Sequence, residues 1–333
     1  MPLSVSMVAC KLRTGLACRL AVFIYKYNLF GFTHALSIAT ATKIGCTNAI
    51  LSSMQNPNIV VVGHVCIDHN TTENATYTSW GSSVLYMVKY LQNAHAALPL
   101  AITNYGPDIL PYLPAVEILP AKPNQTQTLL YENDTRSLPR IWKAHNTEYA
   151  RAPQITPAVI EALQAADIVI IATLLPNYSV QYIKDLLRHV KSDALTMLCP
   201  QGYFRHIEAD GLVTPRDFTE ASQIVPLFGL VVYSEEDYPT ALELAKLWKK
   251  TAEANIVVTQ GPEGANIVEK DAVIHVPTRP LSSEEIVDSV GCGDVFAATL
   301  AYAFYQSHDL KAAVQAAHKA ARRKLLNTPV VKL

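Results

Sequence analysis

The chain has 333 residues, half of them hydrophobic and only 17% charged, with a formal net charge of −1. That length suits one large α/β domain or two medium ones, because single cores stop growing at roughly 250 to 300 residues. The composition excludes a disordered chain, and the near-zero charge leaves no electrostatic footprint for nucleic acid.

Residues 1–53 differ from the rest, carrying Lys11, Arg13, Arg19, Lys26 and Lys43 but no acid. The first acidic residue is Asp68. This basic, apolar leader reads either as an organelle transit segment or as sequence upstream of a true start at Met54. Its basic residues break it into runs too short for stable membrane insertion. A single domain is expected over residues 54–333. Cys10, Cys18, Cys46, Cys66, Cys199 and Cys292 stand singly, without the spacing of a zinc site or a disulfide framework. They read as reduced thiols of a cytoplasmic protein, with organelle targeting the alternative if the leader is a transit peptide.

From Ile59 onward short β-branched runs alternate with helical patterns. Residues Ile59 to Val62, Ile168 to Ala172, Leu195 to Leu198, Leu230 to Tyr233 and Ile256 to Thr259 are continuous apolar runs of the kind parallel strands need. Val84 to Leu91, Val180 to Val190, Thr240 to Ala254 and Val295 to Gln306 carry apolar residues at three- and four-residue spacing. The pattern predicts a doubly wound, mostly parallel sheet with helices on both faces, and ligands outside the carboxyl ends of its strands. His69 to Trp80 breaks the pattern as a polar, threonine-rich stretch, either a surface loop or small exposed strands covering a substrate.

Near the C-terminus the chain reads Asp288-Ser289-Val290-Gly291-Cys292-Gly293-Asp294-Val295-Phe296, followed at once by an apolar helix. Glycines before a helix start allow close backbone approach, and first-turn amides favour an anion such as phosphate. Asp294 beside that cradle is either a helix cap or a general base for an attacking hydroxyl. There is no Gly-Lys-Ser/Thr P-loop, no complete Gly-X-Gly-X-X-Gly and no His-Glu-X-X-His.

These residues resemble the signature Asp-Thr-X-Gly-Ala-Gly-Asp-X-Phe of the PfkB (ribokinase-like) carbohydrate kinases. The resemblance implies a ribokinase-like fold with a small β lid around residues 69–80, and an anion hole made by Gly291, Cys292 and Gly293. It makes Asp294 the catalytic base and places Asp288 near a monovalent cation such as K+. Thr259, Gly261 and Gly264 match the family's Thr-X-Gly-X-X-Gly nucleotide segment. Ser234 and Asp237 stand where the family usually has Asn-X-X-Glu, a segment that helps place magnesium and phosphates, and both positions differ here. Asp68 matches the carboxylate that binds two neighbouring hydroxyls. Gly81-Ser82 stands in place of Gly-Gly before the first helix, and Arg136 and Arg140 lie in a segment that could close over the substrate.

By this resemblance the chain is an enzyme that transfers phosphate from ATP, with Mg2+, to a hydroxyl of a small sugar, an inositol-like cyclic polyol or a related alcohol, as a monomer or homodimer. Gly63-X-X-Cys66-X-Asp68, the stretch Gln201 to Arg205 and Ser234-Glu235-Glu236 are similar to plant-type myo-inositol kinases. The departures at Ser234 and Asp237 motivate an alternative, a non-catalytic sensor of nucleotide or polyol on the same fold.

Overall fold

Strands that are apolar on both faces serve two cores at once, and five such strands set the architecture. The computed structural model describes residues 56–72, 75–95, 97–134, 136 and 141–326. The leader expected over residues 1–53 and the candidate substrate residue Arg140 lie outside them. The chain runs through β1 (Ile59–Gly63), β2 (Cys66–Thr71), β3 (Thr76–Gly81), α1 (Ser83–His95), β4 (Leu100–Ile102), β5 (Glu117–Leu119), β6 (Leu129–Asp134) and β7 (Ile141–His145). Then come α2 (Pro157–Ala165), β8 (Ile168–Ala172), α3 (Val180–Leu187), β9 (Leu195–Cys199), β10 (Arg205–Ile207), β11 (Val213–Pro215) and α4 (Ala221–Ile224). The rest is β12 (Leu230–Ser234), α5 (Ala241–Lys249), β13 (Asn255–Thr259), β14 (Gly264–Val268), β15 (Val273–Pro277), α6 (Cys292–Ser307) and α7 (Leu310–Leu326).

The main sheet has the order β15-β14-β13-β12-β9-β8-β1-β4-β5. It is parallel from β13 through β5, and β14 and β15 add an antiparallel edge. Alternate residues feed opposite cores. Ile59, Val61, Ile168 and Ile170 pack with Leu85 and Val88 of α1, Phe296 and Leu300 of α6 and Val314 of α7. Val60, Val62, Val169 and Ile171 pack with Leu163 of α2, Ile183 and Leu186 of α3 and Trp248 of α5. Each fully buried Val, Leu or Ile contributes about 1.5–3 kcal/mol, so the five apolar runs had to lie centrally.

After β1 the chain winds out to β4 and β5, then returns to β8 on the other side of β1. Their carboxyl ends therefore form a topological switch point, where a ligand crevice is expected. Gly63 pairs with Ala172 there, and a Cβ at Gly63 would lie 1.9 Å from the Ala172 carbonyl oxygen. Only glycine lets the backbone leave the sheet so close to its neighbour.

Directly beyond, a second sheet of order β3-β2-β6-β7 stands over the switch point. Residues 69–71 and 76–80 of the polar stretch lie in β2 and β3, which make half of this sheet rather than all of it. β2 pairs in parallel with β6 and antiparallel with β3, and β7 closes the far edge. Two predicted helices are shorter than their apolar pattern. Helix α3 stops at Leu187 instead of Val190, and α5 at Lys249 instead of Ala254. Lys249 Nζ donates to the Ala254 carbonyl at 2.9 Å, drawing the chain into β13. Among the described residues no helix is long and apolar enough to cross a membrane.

Candidate active site

β2 carries Asp68 into the crevice on a buried strand position, opposite Ser79 of β3. Its carboxylate accepts from Cys66 Sγ at 3.2 Å and from the Asn133 side chain of β6. Asn133 also donates to Asn70 Oδ1 at 3.1 Å, and Asn70 donates to Ser79 Oγ at 3.1 Å. A ladder of polar side chains therefore crosses the small sheet on one face. Burial lifts the Asp68 carboxyl to about 6, and the charge of Asp294 adds to the lift. The hydrogen bonds from Cys66 and Asn133 and the Arg205 guanidinium oppose it.

Gly81 lies against that carboxylate. A Cβ there would sit 2.1 Å from Asp68 Oδ2 and 2.4 Å from Oδ1. Ser82 follows with φ of 98°, a left-handed conformation that glycine adopts freely and serine does not. Its hydroxyl accepts from the Leu85 amide at 3.3 Å and its carbonyl from the Tyr86 amide at 3.1 Å, so it caps α1. The missing second glycine is thus a strained serine in a glycine conformation. Relief of strain of about 1–2 kcal/mol outweighs a cap that glycine replaces at a cost of a few tenths. Ser82→Gly is expected to raise stability by about 1 kcal/mol in urea denaturation. A loss of stability would show that the cap outweighs the strain.

Asp294 lies in the first turn of α6, whose N-cap Gly291 has φ of 74°. A Cβ at Gly291 would come within 2.5 Å of the Tyr86 ring, so glycine is required there on two counts. Gly293 is the opposite case, being exposed, with nothing within 4 Å of where a Cβ would lie. Of the expected cradle trio, Cys292 already spends its amide on the Ser289 carbonyl at 3.2 Å. Its thiol is half-buried and pushed up to about 11, mainly by burial, so it is no nucleophile at neutral pH.

Burial raises the Asp294 carboxyl to about 6, and the charge of Asp237 adds to this. A hydrogen bond from Ser83 and the charge of Arg205 pull the other way. Ser83, the first residue of α1, accepts in turn from Gln201 Nε2. The Ser83 proton is thereby directed at Asp294. Arg205 is the cation nearest these carboxylates in effect. It donates to Tyr131 Oη, the Leu174 carbonyl and Gln201 Oε1, each at 3.4 Å, and lies over the Tyr131 and Trp142 rings at 5.6 and 5.4 Å.

β12 ends at Ser234, whose amide donates to Asp237 Oδ2 at 2.9 Å while its hydroxyl accepts from the Glu236 amide at 3.1 Å. The shorter carboxylate thus closes a tight turn on its own strand. Thr259 ends β13 directly beside Ser234. Gly261 has φ of 54° in open space, and Gly264 has φ of 120° with a Cβ position only 2.3 Å from the Val276 carbonyl. Among the described residues no group of three or more His, Cys, Asp or Glu side chains is gathered as a metal cage.

The candidates therefore divide. Asp294 interacts by charge with both Asp68 and Asp237, Gly81 lies directly against the Asp68 carboxylate, and Ser82 follows Gly81 at the start of α1. Ser234, Thr259, Gly261 and Gly264 line the neighbouring strand ends. Asp288 is held by Lys324 at 2.5 Å, and Arg136 is exposed and paired with Asp134 at 2.6 Å on the far part of the small sheet. The sequence reading gave no role to Ser83, Asn70, Asn133 or Lys324. Asn70 was reachable, since it lies two residues from Asp68 on the same strand face. Asn133 and Lys324 come from distant segments that no local pattern connects.

A pyrophosphate-dependent kinase of the ribokinase family, complexed with a pyrophosphate analogue and myo-inositol, is similar with a TM-score of 0.64 and 17% identity, over 82% of this chain and 97% of that one. A putative ribokinase from Agrobacterium tumefaciens gives 0.61 at 17% identity, over 82% and 92%. Adenosine kinase from Sinorhizobium meliloti gives 0.61 at 13% identity, over 83% and 97%. Such likenesses establish the ribokinase-like fold. No curated protein matches the chain by sequence. The sequence model of the pfkB family carbohydrate kinases does match, over residues 115–328. The chain belongs to the PfkB family of carbohydrate kinases.

Proposed function

We propose that the protein transfers the terminal phosphoryl group of a nucleoside triphosphate, ATP, to a hydroxyl of a small sugar or cyclic polyol. The observation that carries this reading is the pairing of Asp294 at a glycine-flanked helix start with Asp68 across one crevice, each carboxyl lifted to about 6. At neutral pH both are ionised, yet both lie close enough to that pH to exchange a proton usefully.

Asp68 accepts from two neighbouring hydroxyls of the substrate, with Asn70 and Asn133 alongside to donate or accept further hydrogen bonds. Asp294, oriented by Ser83, takes the proton of the attacking hydroxyl. The new O–P bond forms as the bond from the phosphoryl group to the leaving oxygen breaks, and the donor departs as ADP. First-turn amides of α6 around Gly293 stabilise the charge on the transferring group. Thr259, Gly261 and Gly264 hold the nucleotide at the neighbouring strand ends. Asp237 is the carboxylate that would hold magnesium, an ion that takes one or two protein carboxylates and leaves the rest to phosphate and water, and the ion would supply charge neutralisation for the phosphates. The small sheet serves as the lid over the acceptor.

The neighbours described as pyrophosphate-dependent make the donor a direct question. Purified protein should be supplied with magnesium and either ATP or pyrophosphate, against inositols, pentoses, hexoses and nucleosides. Consumption of ATP with a polyol or sugar supports the reading. Saturable ligand binding without turnover of either donor favours a sensor on the same fold. The open space at Gly293 adds a sharper expectation. Gly293→Ala meets no protein atom and sits in a helix, so stability should hold or rise by about 0.4–1 kcal/mol. Turnover should nonetheless fall by at least about tenfold, because the methyl group enters phosphoryl space.

A further inference from the structure

The turn leading into α6 is fastened from outside by α7. The Asp288 side chain is only 12% exposed and that of Lys324 on α7 only 7%. Lys324 Nζ lies 2.5 Å from Asp288 Oδ2 and also donates to the Asp288 carbonyl oxygen at 3.4 Å. The other carboxylate oxygen, Oδ1, accepts from the Val290 amide at 3.0 Å. Both oxygens of Asp288 are therefore committed to shaping the turn. Two more contacts join the same segment to the same helix. The Val287 amide donates to the Leu325 carbonyl at 2.9 Å, and the Cys292 thiol reaches the Ala321 carbonyl at 3.7 Å.

A carboxylate taken out of water has to be paired with a positive charge. The resemblance noted above expects an external monovalent cation beside Asp288, and the residues present do not fit one. A second cation there would face the Lys324 ammonium across a few ångströms of low-dielectric interior, where like charges repel strongly. We infer that Lys324 is a built-in counter-ion and positioning residue for the Asp288–Gly293 turn, which frees the phosphoryl cradle from any need of an external monovalent cation. As an account of the cradle this rests on the phosphoryl-transfer reading. As an account of cation independence it does not.

The test uses the full-length protein at constant ionic strength in potassium chloride and in tetramethylammonium chloride. Wild type is expected to unfold at the same temperature in both, within about 2 °C. Lys324→Met is expected to weaken binding of magnesium-ATP and magnesium-pyrophosphate, measured by calorimetry, by at least about tenfold, because small displacements of a cradle have large effects. Lys324→Arg, which keeps the charge, is expected to restore most of that affinity. Wild type stabilised by potassium by more than about 2 °C would overturn the inference. So would a folded Lys324→Met protein that binds both probes as tightly as wild type. If Lys324→Met does not fold, the wild-type cation comparison and the Lys324→Arg protein decide. Failure of the kinase reading looks different, since no acceptor would be consumed while the cation comparison kept its expected result.

Discussion

Asp294→Asn is expected to lower kcat by about 100- to 10,000-fold while changing the KM of donor and acceptor by less than about threefold. The substitution keeps the shape and the hydrogen bond to Ser83 but removes the carboxylate proposed to accept the proton. The same change should stabilise the fold. The Asp294 carboxyl is raised from 3.8 to about 6 by burial, so the folded chain holds this proton more tightly than the unfolded chain. Stability is therefore lost as pH rises from about 4 to about 6, and the full cost is present above 6. An amide carries no such cost. Above pH 7 the variant should gain on the order of 1–3 kcal/mol over wild type, and the gain should vanish below pH 4. A variant that is both inactive and more stable would identify Asp294 as a group kept for chemistry. One that turns over within about threefold of wild type would remove it from the mechanism.

The same carboxyls set the pH dependence. Asp68 is lifted to about 6 with the same sign, and the proposed mechanism uses both in the ionised form. In wild type kcat/KM should fall below about pH 6 with a limiting slope approaching two. Asp68→Asn should lower the plateau and leave a slope of one, which initial-rate measurements across pH 5 to 8 would check.

How much of this was readable in advance depended on sequence distance. Ile59, Ile168, Leu195, Leu230 and Ile256 each head an apolar run, and such runs fit only strands covered on both faces, so the central parallel sheet followed from local pattern. Gly291 to Asp294 form a contiguous motif, and their helix-start geometry is equally local. β14 and β15 escaped notice because an antiparallel edge on a parallel sheet leaves no distinct pattern of its own. The small sheet was only half visible for a related reason. β6 ends in Glu132-Asn133-Asp134, without clean alternation, and its pairing with β2 joins segments about sixty residues apart. The polar ladder from Asp68 through Asn133 exists only once that pairing is made. Lys324 was similarly hidden, since a lysine late in an amphipathic helix ordinarily points to water. Ser82 shows the reverse situation. The sequence announced a departure from Gly-Gly, but the backbone kept the glycine conformation and took the strain.

Gly81→Ala is the second change expected to have a large effect, and it separates substrate binding from chemistry. The added Cβ would fall within 2.1 to 2.4 Å of all three carboxyl atoms of Asp68, closer than any non-bonded contact allows. The carboxylate cannot simply turn aside, because Cys66 and Asn133 hold it and the strand around it is buried. Either Asp68 gives up those hydrogen bonds or β2 and β3 spread apart, at about 1–3 kcal/mol for overpacking a filled interior. In both cases the oxygens leave the position from which they would bind two neighbouring hydroxyls. Acceptor KM is therefore expected to rise by about 10- to 100-fold, while affinity for the phosphoryl donor stays within about threefold of wild type. Asp294→Asn should show the complementary split, with kcat lost and acceptor KM kept. If Gly81→Ala instead weakened donor and acceptor equally, the damage would be a general loosening of the crevice. Asp68 would then lose its claim to the acceptor, whereas an acceptor-specific loss would fix the polyol to the small-sheet side of the crevice and the phosphoryl donor to the start of α6.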